Sequence, residues 1–202
     1  MIIQKNILSN LELELIEKQL DSLPFYLTND TVGNYQTPWM GHNIISRYDI
    51  EKEEPKILSP TYDFFYGVVK RFADTNNIKV NKICRMCLNL SFSNSTNQFF
   101  AAPHTDHEFP HNNLILYLTD SSGNTVLFDD QENIIHEEEP EKGKMIMFDG
   151  SIKHTMRPCK GDEKRLILVT TFIWNNLTFC INRVIMNLTD LTKLVEYERD
   201  AR

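Results

Sequence analysis

Residues 114–128 read LILYLTDSSGNTVLF: two short apolar runs lie on either side of a polar turn that contains one glycine. Similar apolar runs, separated by glycine, proline or polar residues, lie at residues 83–92, 144–148 and 165–174. Short strands with such punctuation are typical of an antiparallel sandwich or a jelly roll. We therefore predict strands at these three runs and, within the central stretch, at residues 114–119 and Thr125–Phe128.

Two amphipathic helices are predicted before these strands. Residues 9–22 have apolar side chains at helical spacing, and Ser9 or Asn10 is a suitable N-cap. Residues 60–74 carry an aromatic stripe that we interpret as core packing. One further strand is predicted near residues 42–48. Helices followed by strands indicate a β-rich α+β fold in which the helices buttress one sheet.

The length of 202 residues predicts a single domain over 1–202. We divide it into a helical support at 1–77, a jelly-roll core at 78–186 and a C-terminal tail at 187–202, expected to form a short polar helix. This division leaves little chain for a separate recognition domain, so we expect loops around the barrel mouth to determine specificity.

Charge and composition exclude several classes of protein. With 21 basic and 28 acidic residues the net charge is −7, which argues against general binding to a nucleic-acid backbone. No stretch approaches the 18 or so apolar residues of a membrane span, and the first residues lack the apolar core of a signal peptide. Four scattered cysteines do not make a disulfide framework, and we interpret Cys84-x-x-Cys87 as structural. We therefore expect a reduced, cytoplasmic protein without membrane contact.

The motif that carries chemistry is His104-Thr105-Asp106. In an extended segment, positions i and i+2 point to the same side, so the imidazole and the carboxylate can reach one metal ion. His154, which follows a predicted strand and a turn, is the best candidate for a third ligand. Two histidines and one carboxylate on one face of an octahedron are typical of non-haem Fe(II) oxygenases.

Arg165 begins an apolar strand eleven residues after His154. An inward-facing arginine needs an anionic partner because an unpaired buried charge is costly. Its planar guanidinium suits a carboxylate. If Arg165 points inward, strand alternation places Ile167, Val169 and Thr171 on the same face.

The order and spacing of His104, Asp106, His154 and Arg165 resemble those of the Fe(II)/2-oxoglutarate-dependent dioxygenases, and the prolyl-4-hydroxylase-like branch above all. The resemblance covers about residues 83–174 and implies a double-stranded β-helix. Residues 116–129 are also similar to small single-domain oxygenases encoded by marine bacteriophages, which would place the protein in the host cytoplasm.

The resemblance implies a role for each site residue. His104, Asp106 and His154 would be both catalytic residues and Fe(II) ligands. Arg165 would pair with the distal C5 carboxylate of 2-oxoglutarate, and Tyr117 would hydrogen-bond the same group. Dioxygen would be the second co-substrate, with ascorbate as an optional reductant.

Three further residues are weaker candidates for binding the co-substrate. Thr171 would line the pocket. The family often has a tyrosine on the strand before the His-x-Asp loop, and this chain has none there, so Asn89 or Ser91 would take its place. This departure affects the C1 side of 2-oxoglutarate.

The resemblance implies hydroxylation of a C–H bond, with a peptide or protein as the expected substrate; the acidic net charge is compatible with a basic one. Two alternatives stay open. A cupin-type dioxygenase or isomerase would use the same triad without 2-oxoglutarate, but would leave Arg165 and Tyr117 unexplained. A non-catalytic binding module could have kept the fold.

The remaining histidines and charged runs receive structural interpretations. His107 and His111 are expected at the active-site mouth, and His42 and His136 at the surface or in loops. Residues 137–141, four glutamates and a proline, predict a solvated loop, or alternatively a negative rim. Residues 94–102 would form either a substrate lid or an aromatic anchor.

Overall fold

The computed structural model describes residues 1–28, 39–49, 53–93 and 102–174. Within these ranges the chain forms two helices, α1 (Asn10–Leu20) and α2 (Tyr62–Thr75). The strands are β1 (Ile2–Gln4), β2 (Tyr26–Thr28), β3 (Trp39–Ile45), β4 (Val80–Phe92), β5 (Asn112–Tyr117), β6 (Thr125–Phe128), β7 (Ile134–Glu138), β8 (Met145–Asp149), β9 (His154–Met156) and β10 (Lys164–Trp174).

The start of α1 is fixed by a capping box, as the serine at position 9 predicts. The Ser9 hydroxyl accepts a hydrogen bond from the Glu12 amide at 3.3 Å, and the Glu12 carboxylate accepts one from the Ser9 amide at 2.8 Å. Glu12 also accepts a hydrogen bond from Arg71 on α2 at 2.6 Å. This contact ties the two helices together.

The strands form two antiparallel sheets. The larger sheet has the order β1-β8-β5-β10-β4-β3-β2, and the smaller has the order β7-β6-β9. One face of the larger sheet packs against the helices: its core includes Ile16 of α1, Phe65 and Phe72 of α2, and Met86 and Leu116 of the sheet. Burying such side chains stabilises the fold by roughly 1.5–3 kcal/mol each. The helices therefore buttress one sheet, as predicted.

The opposite face of the larger sheet looks towards the smaller sheet. Ile115, Tyr117 and Ile167 from the larger sheet form a second buried cluster with Leu127 of β6. Two antiparallel sheets that pack their inner apolar faces together make the jelly-roll core that the sequence predicts. The candidate functional site lies between these inner faces.

The structure corrects three expectations. His42 is buried on β3, where its ring contacts the Pro24 carbonyl and the Ser59 hydroxyl, both at 2.8 Å; the surface or loop position was wrong because these partners are distant in sequence. The strand near residues 42–48 begins and ends three residues earlier. Residues 137–141 are not wholly a solvated loop, because β7 includes Glu137 and Glu138, and Glu138 pairs with buried Lys144 at 2.5 Å.

Several features lie where the sequence signal was weak. The strands β1, β2 and β9 have only three residues each, too few for a periodic pattern. His136, predicted at the surface or in a loop, lies half-buried on β7 beside Glu138. Cys84 and Cys87 are buried free thiols, and burial raises the pKa of Cys84 to about 11, which fits a structural role.

Residues 94–101, Cys180 and the tail at 187–202 lie outside the described residues, so the expectations for them stay predictions. In the described part of the chain, no helix has the length and hydrophobicity needed to cross a membrane.

Candidate metal and co-substrate site

His104 and His154 are held side by side by the backbone. Each residue donates its amide hydrogen to the carbonyl oxygen of the other, at 3.0 Å and 2.9 Å, in an antiparallel bridge. His154 also pairs in register with Leu127 of β6, which fixes it to the smaller sheet. The two imidazole rings lie 4.7 Å apart between centroids. Residues 50 positions apart therefore meet at one edge of the barrel.

The tautomers of these histidines suit metal binding. His104 Nδ1 donates to the Ala102 carbonyl oxygen at 3.1 Å, and His154 Nδ1 lies 3.4 Å from the Ile152 carbonyl oxygen. A histidine whose Nδ1 donates to a carbonyl carries its lone pair on Nε2, which is the usual arrangement in metal sites.

Asp106 completes the cluster. One ligand atom each from His104, Asp106 and His154 lies within 4.8 Å of the others, and Asp106 Oδ2 is 3.4 Å from His154 Nε2. That carboxylate oxygen is buried and has no hydrogen-bond partner in the part of the chain that the structure describes. A buried oxygen without a donor is costly unless a cation binds it. The three residues thus fit a metal ion with the facial geometry of a 2-His-1-carboxylate site.

The electrostatic surroundings keep Asp106 ionised. Burial alone would raise its pKa, but the His154 imidazole and the Arg85 guanidinium hold the pKa well below its usual range. Arg85 Nη1 donates to Asp106 Oδ1 at 3.3 Å, and Arg47 Nη2 lies 3.6 Å from the same oxygen. The carboxylate is therefore available as an anion for a metal.

Arg165 lies in the second part of the site, at the start of β10. It is only 3% exposed; its Nη2 donates to the Thr125 hydroxyl at 2.8 Å, and Tyr117 donates its hydroxyl hydrogen to the same oxygen at 2.7 Å. No acidic side chain among the described residues forms an ion pair with Arg165, and its Nε has no hydrogen-bond partner. Burial lowers the pKa of Arg165 and raises that of Tyr117 to about 12, so the pocket holds a buried cation beside a neutral phenol.

Gly123 makes room for this arginine. A Cβ at position 123 would lie 2.9 Å from both Arg165 Cδ and Cys159 Sγ, closer than carbon and sulfur atoms pack. The glycine in the turn before β6 is therefore required by the close approach of the arginine stem.

The anion pocket and the metal cluster share one strand. Thr125, which contacts Arg165, and Leu127, which pairs with His154, are two residues apart on β6. Two residues of strand span roughly 7 Å. A short dicarboxylate could therefore bind Arg165 at one end and reach the three ligand residues with the other.

The other candidates lie on the same inner face at different distances from Arg165. Ser91 is its direct partner in register, and Asn89 lies opposite Ile167 and accepts a hydrogen bond from Cys87 Sγ at 3.0 Å. Thr171 is buried at the far end of β10, where it contacts His107 rather than Arg165. A role for Asn89 or Thr171 towards the co-substrate stays a prediction.

His107 and His111 lie together beside the cluster, with ring centroids 4.8 Å apart. His107 Nε2 is 2.8 Å from the Thr171 hydroxyl, and burial lowers the pKa of His107 to about 4. His111 donates to the Phe109 carbonyl and packs directly over Gly150, where a Cβ would lie 2.3 Å from the imidazole. Neither residue belongs to the set of three clustered ligands.

Three residues at the site were missed by the sequence analysis. Arg47 and Arg85 carry no local signal, because only the pairing of β3 and β4 and the fold of the His-x-Asp loop bring them to Asp106. Thr125 was predicted as the first residue of a strand, without a role at the site. The alternation of Thr125 and Leu127 along a predicted strand could have placed it inward beside Arg165.

No protein-family model matches the chain, and no curated protein matches its sequence. Solved structures do match. An oxidoreductase of the 2OG-Fe(II) oxygenase family from Burkholderia pseudomallei is similar over 85% of this chain and 84% of its own, with a TM-score of 0.70 and 16% identity. A prolyl-4-hydroxylase from Pseudomonas putida is similar over 87% and 92%, with a TM-score of 0.56 and 14% identity.

A third structure is a prolyl hydroxylase from Trichoplax adhaerens in complex with a peptide fragment of the hypoxia inducible factor oxygen degradation domain. It is similar over 85% of this chain and 76% of its own, with a TM-score of 0.57 and 11% identity. Together these similarities show that the chain has the double-stranded β-helix fold of these oxygenases.

Proposed function

We propose that this protein is an Fe(II)- and 2-oxoglutarate-dependent dioxygenase that hydroxylates a C–H bond of a peptide or protein. The observation that carries the proposal is the presence of two features in one site: the His104/Asp106/His154 cluster, and the buried Arg165 guanidinium, which has no acidic partner among the described residues. The cluster fits a metal ion, and the guanidinium fits a carboxylate. The two lie close enough to be bridged by one short dicarboxylate.

Each residue has a defined task in this proposal. His104, Asp106 and His154 would hold Fe(II) through two Nε2 atoms and one carboxylate oxygen. Arg165 would bind the distal carboxylate of 2-oxoglutarate, while the Tyr117 and Thr125 hydroxyls orient it. Bound Fe(II) would supply the oxidation chemistry, in which one oxygen atom of O2 enters succinate and the other enters the substrate, with loss of CO2.

Arg165 separates this proposal from a metal enzyme that does not use 2-oxoglutarate. A buried charge without a counter-ion destabilises a folded protein by several kcal/mol. A bound carboxylate would offset this destabilisation at Arg165. The site of a cupin-type dioxygenase or isomerase would give no reason for such a group.

The substrate class rests on the fold neighbours. Two of the three structures described above are prolyl hydroxylases, and one of these was solved with a peptide bound. We therefore propose a peptide or protein substrate, with ascorbate as a reductant that sustains turnover. Expression in a host cytoplasm from a phage gene stays a prediction from the sequence.

The test is succinate formation by the full chain with Fe(II), O2 and 2-oxoglutarate, with and without a cell lysate. We expect slow 2-oxoglutarate-dependent succinate formation alone and faster formation with lysate. Asp106→Ala should lose both activities, whereas Asp74→Ala, which removes an exposed carboxylate on α2, should keep both. Metal-dependent turnover of a lysate component without 2-oxoglutarate would instead favour the cupin-type alternative.

Identification of the substrate follows from the same reaction. Mass spectrometry of lysate proteins treated with wild type or with Asp106→Ala should show residues that gain one oxygen atom only with the wild type. If the gained oxygen appears only on small molecules, the peptide part of the proposal is wrong.

A further inference from the structure

Two arginines lie on the carboxylate of the metal cluster. Arg85 Nη1 donates to Asp106 Oδ1 at 3.3 Å, and Arg47 Nη2 is 3.6 Å from the same oxygen. Arg47 also donates to the Asp106 backbone carbonyl. The Arg85 side chain is 11% exposed and that of Arg47 is 51% exposed, so one guanidinium is nearly buried and the other reaches solvent.

These arginines lie at the opposite end of the site from the anchor for 2-oxoglutarate. Arg85 pairs in register with Thr171, six residues along β10 from Arg165. Six residues of strand span roughly 20 Å. Arg47 follows β3 and approaches Asp106 from the exposed side. The pair therefore lies beyond the metal ligands as seen from Arg165, with the Arg47 guanidinium accessible to solvent.

Among the described residues, little negative charge offsets that of the two arginines. Asp106 is the one acidic side chain in ion-pair contact with either arginine within the described residues, and it is also needed as a metal ligand. Both guanidiniums lie within 3.6 Å of the same carboxylate oxygen, so their positive charges repel each other. A bound metal ion would add further positive charge. An anion between the guanidiniums would offset this cost, and two planar guanidiniums fit an oxyanion with paired hydrogen bonds.

We propose that Arg47 and Arg85 form a binding site for an oxyanion, a carboxylate or a phosphate, carried by the substrate next to the C–H bond that reacts. This inference rests on the proposed function. It also changes an earlier expectation. The net charge of −7 suggested a basic partner, whereas these arginines would bind an acidic group at the mouth of the site. Arg47 is then a specificity-determining residue, and Arg85 both binds the anion and positions Asp106.

The test observes the guanidinium groups directly. The full chain is labelled with ¹⁵N, loaded with Zn(II) in place of Fe(II), and studied by NMR through its arginine Nε–H signals. Single Arg→Lys variants assign the signals of Arg47, Arg85 and Arg165. The protein is first saturated with 2-oxoglutarate, and then titrated at constant ionic strength with sodium acetate or with inorganic phosphate.

Addition of 2-oxoglutarate should shift the Arg165 signal. The Arg47 signal should still shift when acetate or phosphate is added afterwards. Acetate or phosphate should then shift the Arg47 and Arg85 signals with saturation. The anion whose signal shifts saturate at the lower concentration indicates whether the substrate group is a carboxylate or a phosphate. The signal of Arg71, which pairs with Glu12 far from the site, should not saturate.

Two variants sharpen the result. Arg47→Gln should raise the half-saturating anion concentration seen at Arg85 by about tenfold or more, and Arg47→Lys should restore part of the affinity, as expected for one charge-assisted hydrogen bond. Arg71→Gln, which removes the same charge elsewhere, should leave the concentration unchanged. Because Arg47 is half exposed, its replacement does not threaten the core.

The outcomes that overturn the inference differ from those that overturn the proposed function. If Arg165 does not respond to 2-oxoglutarate, the proposed function fails. If Arg165 responds but neither anion shifts Arg47 or Arg85, the anion site does not exist. If 2-oxoglutarate itself saturates Arg47 and abolishes the later response, the pair serves the co-substrate and the substrate inference is wrong.

Discussion

Replacing Arg165 by methionine tests the anion pocket, because this change removes the charge while keeping an unbranched apolar stem. In the wild type the guanidinium is buried, donates to Thr125 and has no acidic partner in the described chain. The Thr125 hydroxyl keeps its hydrogen bond from Tyr117 after the change. We therefore expect Arg165→Met to fold with at least the wild-type free energy of unfolding when no ligand is present.

The effect on binding should be large. Removing one partner of a buried, hydrogen-bonded charge pair costs about 2–5 kcal/mol. At about 1.4 kcal/mol for each factor of ten, the dissociation constant of 2-oxoglutarate should rise roughly 30-fold to 4,000-fold. Affinity for the metal should change little, because Arg165 contacts none of the three ligand residues.

Two measurements check this expectation. Calorimetric titration of 2-oxoglutarate into the Mn(II)-loaded protein gives the dissociation constant directly. Denaturant unfolding gives the increase in the free energy of unfolding that 2-oxoglutarate causes. At a ligand concentration of a hundred times the wild-type dissociation constant, this increase is about 2.7 kcal/mol for the wild type. It should be about 0.9 kcal/mol or less for the variant at the same concentration. Arg71→Met, which removes an exposed guanidinium from α2, is the matched control and should bind 2-oxoglutarate like the wild type.

If Arg165→Met binds 2-oxoglutarate within threefold of the wild type, Arg165 is not the anchor of the distal carboxylate. If the variant is less stable than the wild type without ligand, the arginine stabilises the fold itself, and its burial does not indicate a ligand site.

Three further predictions follow from single contacts. Gly123→Ala places a methyl group 2.9 Å from Arg165 Cδ, so the arginine must shift; we expect a loss of about 1–3 kcal/mol in the free energy of unfolding and weaker 2-oxoglutarate binding, measured by the same two assays. Asp106→Ala removes the carboxylate ligand, and metal titration should show a loss of affinity beyond the roughly 100-fold typical of residues that only support a ligand. Arg71 and Ser9 lower the pKa of Glu12 to about 2 from 4.5, so Glu12 stabilises the fold fully above pH 4.5 and loses this contribution as the pH falls towards 2. Urea unfolding should therefore show Glu12→Gln less stable than the wild type near pH 7 and equal to it near pH 2, and an equal difference at both pH values would contradict this.

The parts of the site that sequence predicted well depend on local spacing. His104 and Asp106 are two residues apart, so a short extended segment is enough to bring them to one side. Arg165 was singled out as a charged residue at the start of an apolar strand, and Tyr117 by the resemblance to the oxygenase family; the structure brings both to Thr125. The strands β4, β5, β8 and β10 of the larger sheet were predicted because each contains an apolar run bounded by turn residues.

The missed parts depend on contacts between distant segments. Arg47 and Arg85 are ordinary charged residues in sequence, and only the folded His-x-Asp loop places a carboxylate between them. His42 was assigned to the surface because its partners, Pro24 and Ser59, lie 18 and 17 residues away. The strand β7 was hidden because acidic residues dominate its second half.

The measurement that tests the central claim most directly is a crystal structure of the full chain grown without oxygen in the presence of Fe(II) and 2-oxoglutarate. The account predicts one iron bound by His104, Asp106 and His154, with the distal carboxylate of 2-oxoglutarate on Arg165. Iron bound by other residues, or 2-oxoglutarate bound away from Arg165 in a metal-loaded crystal, would contradict it.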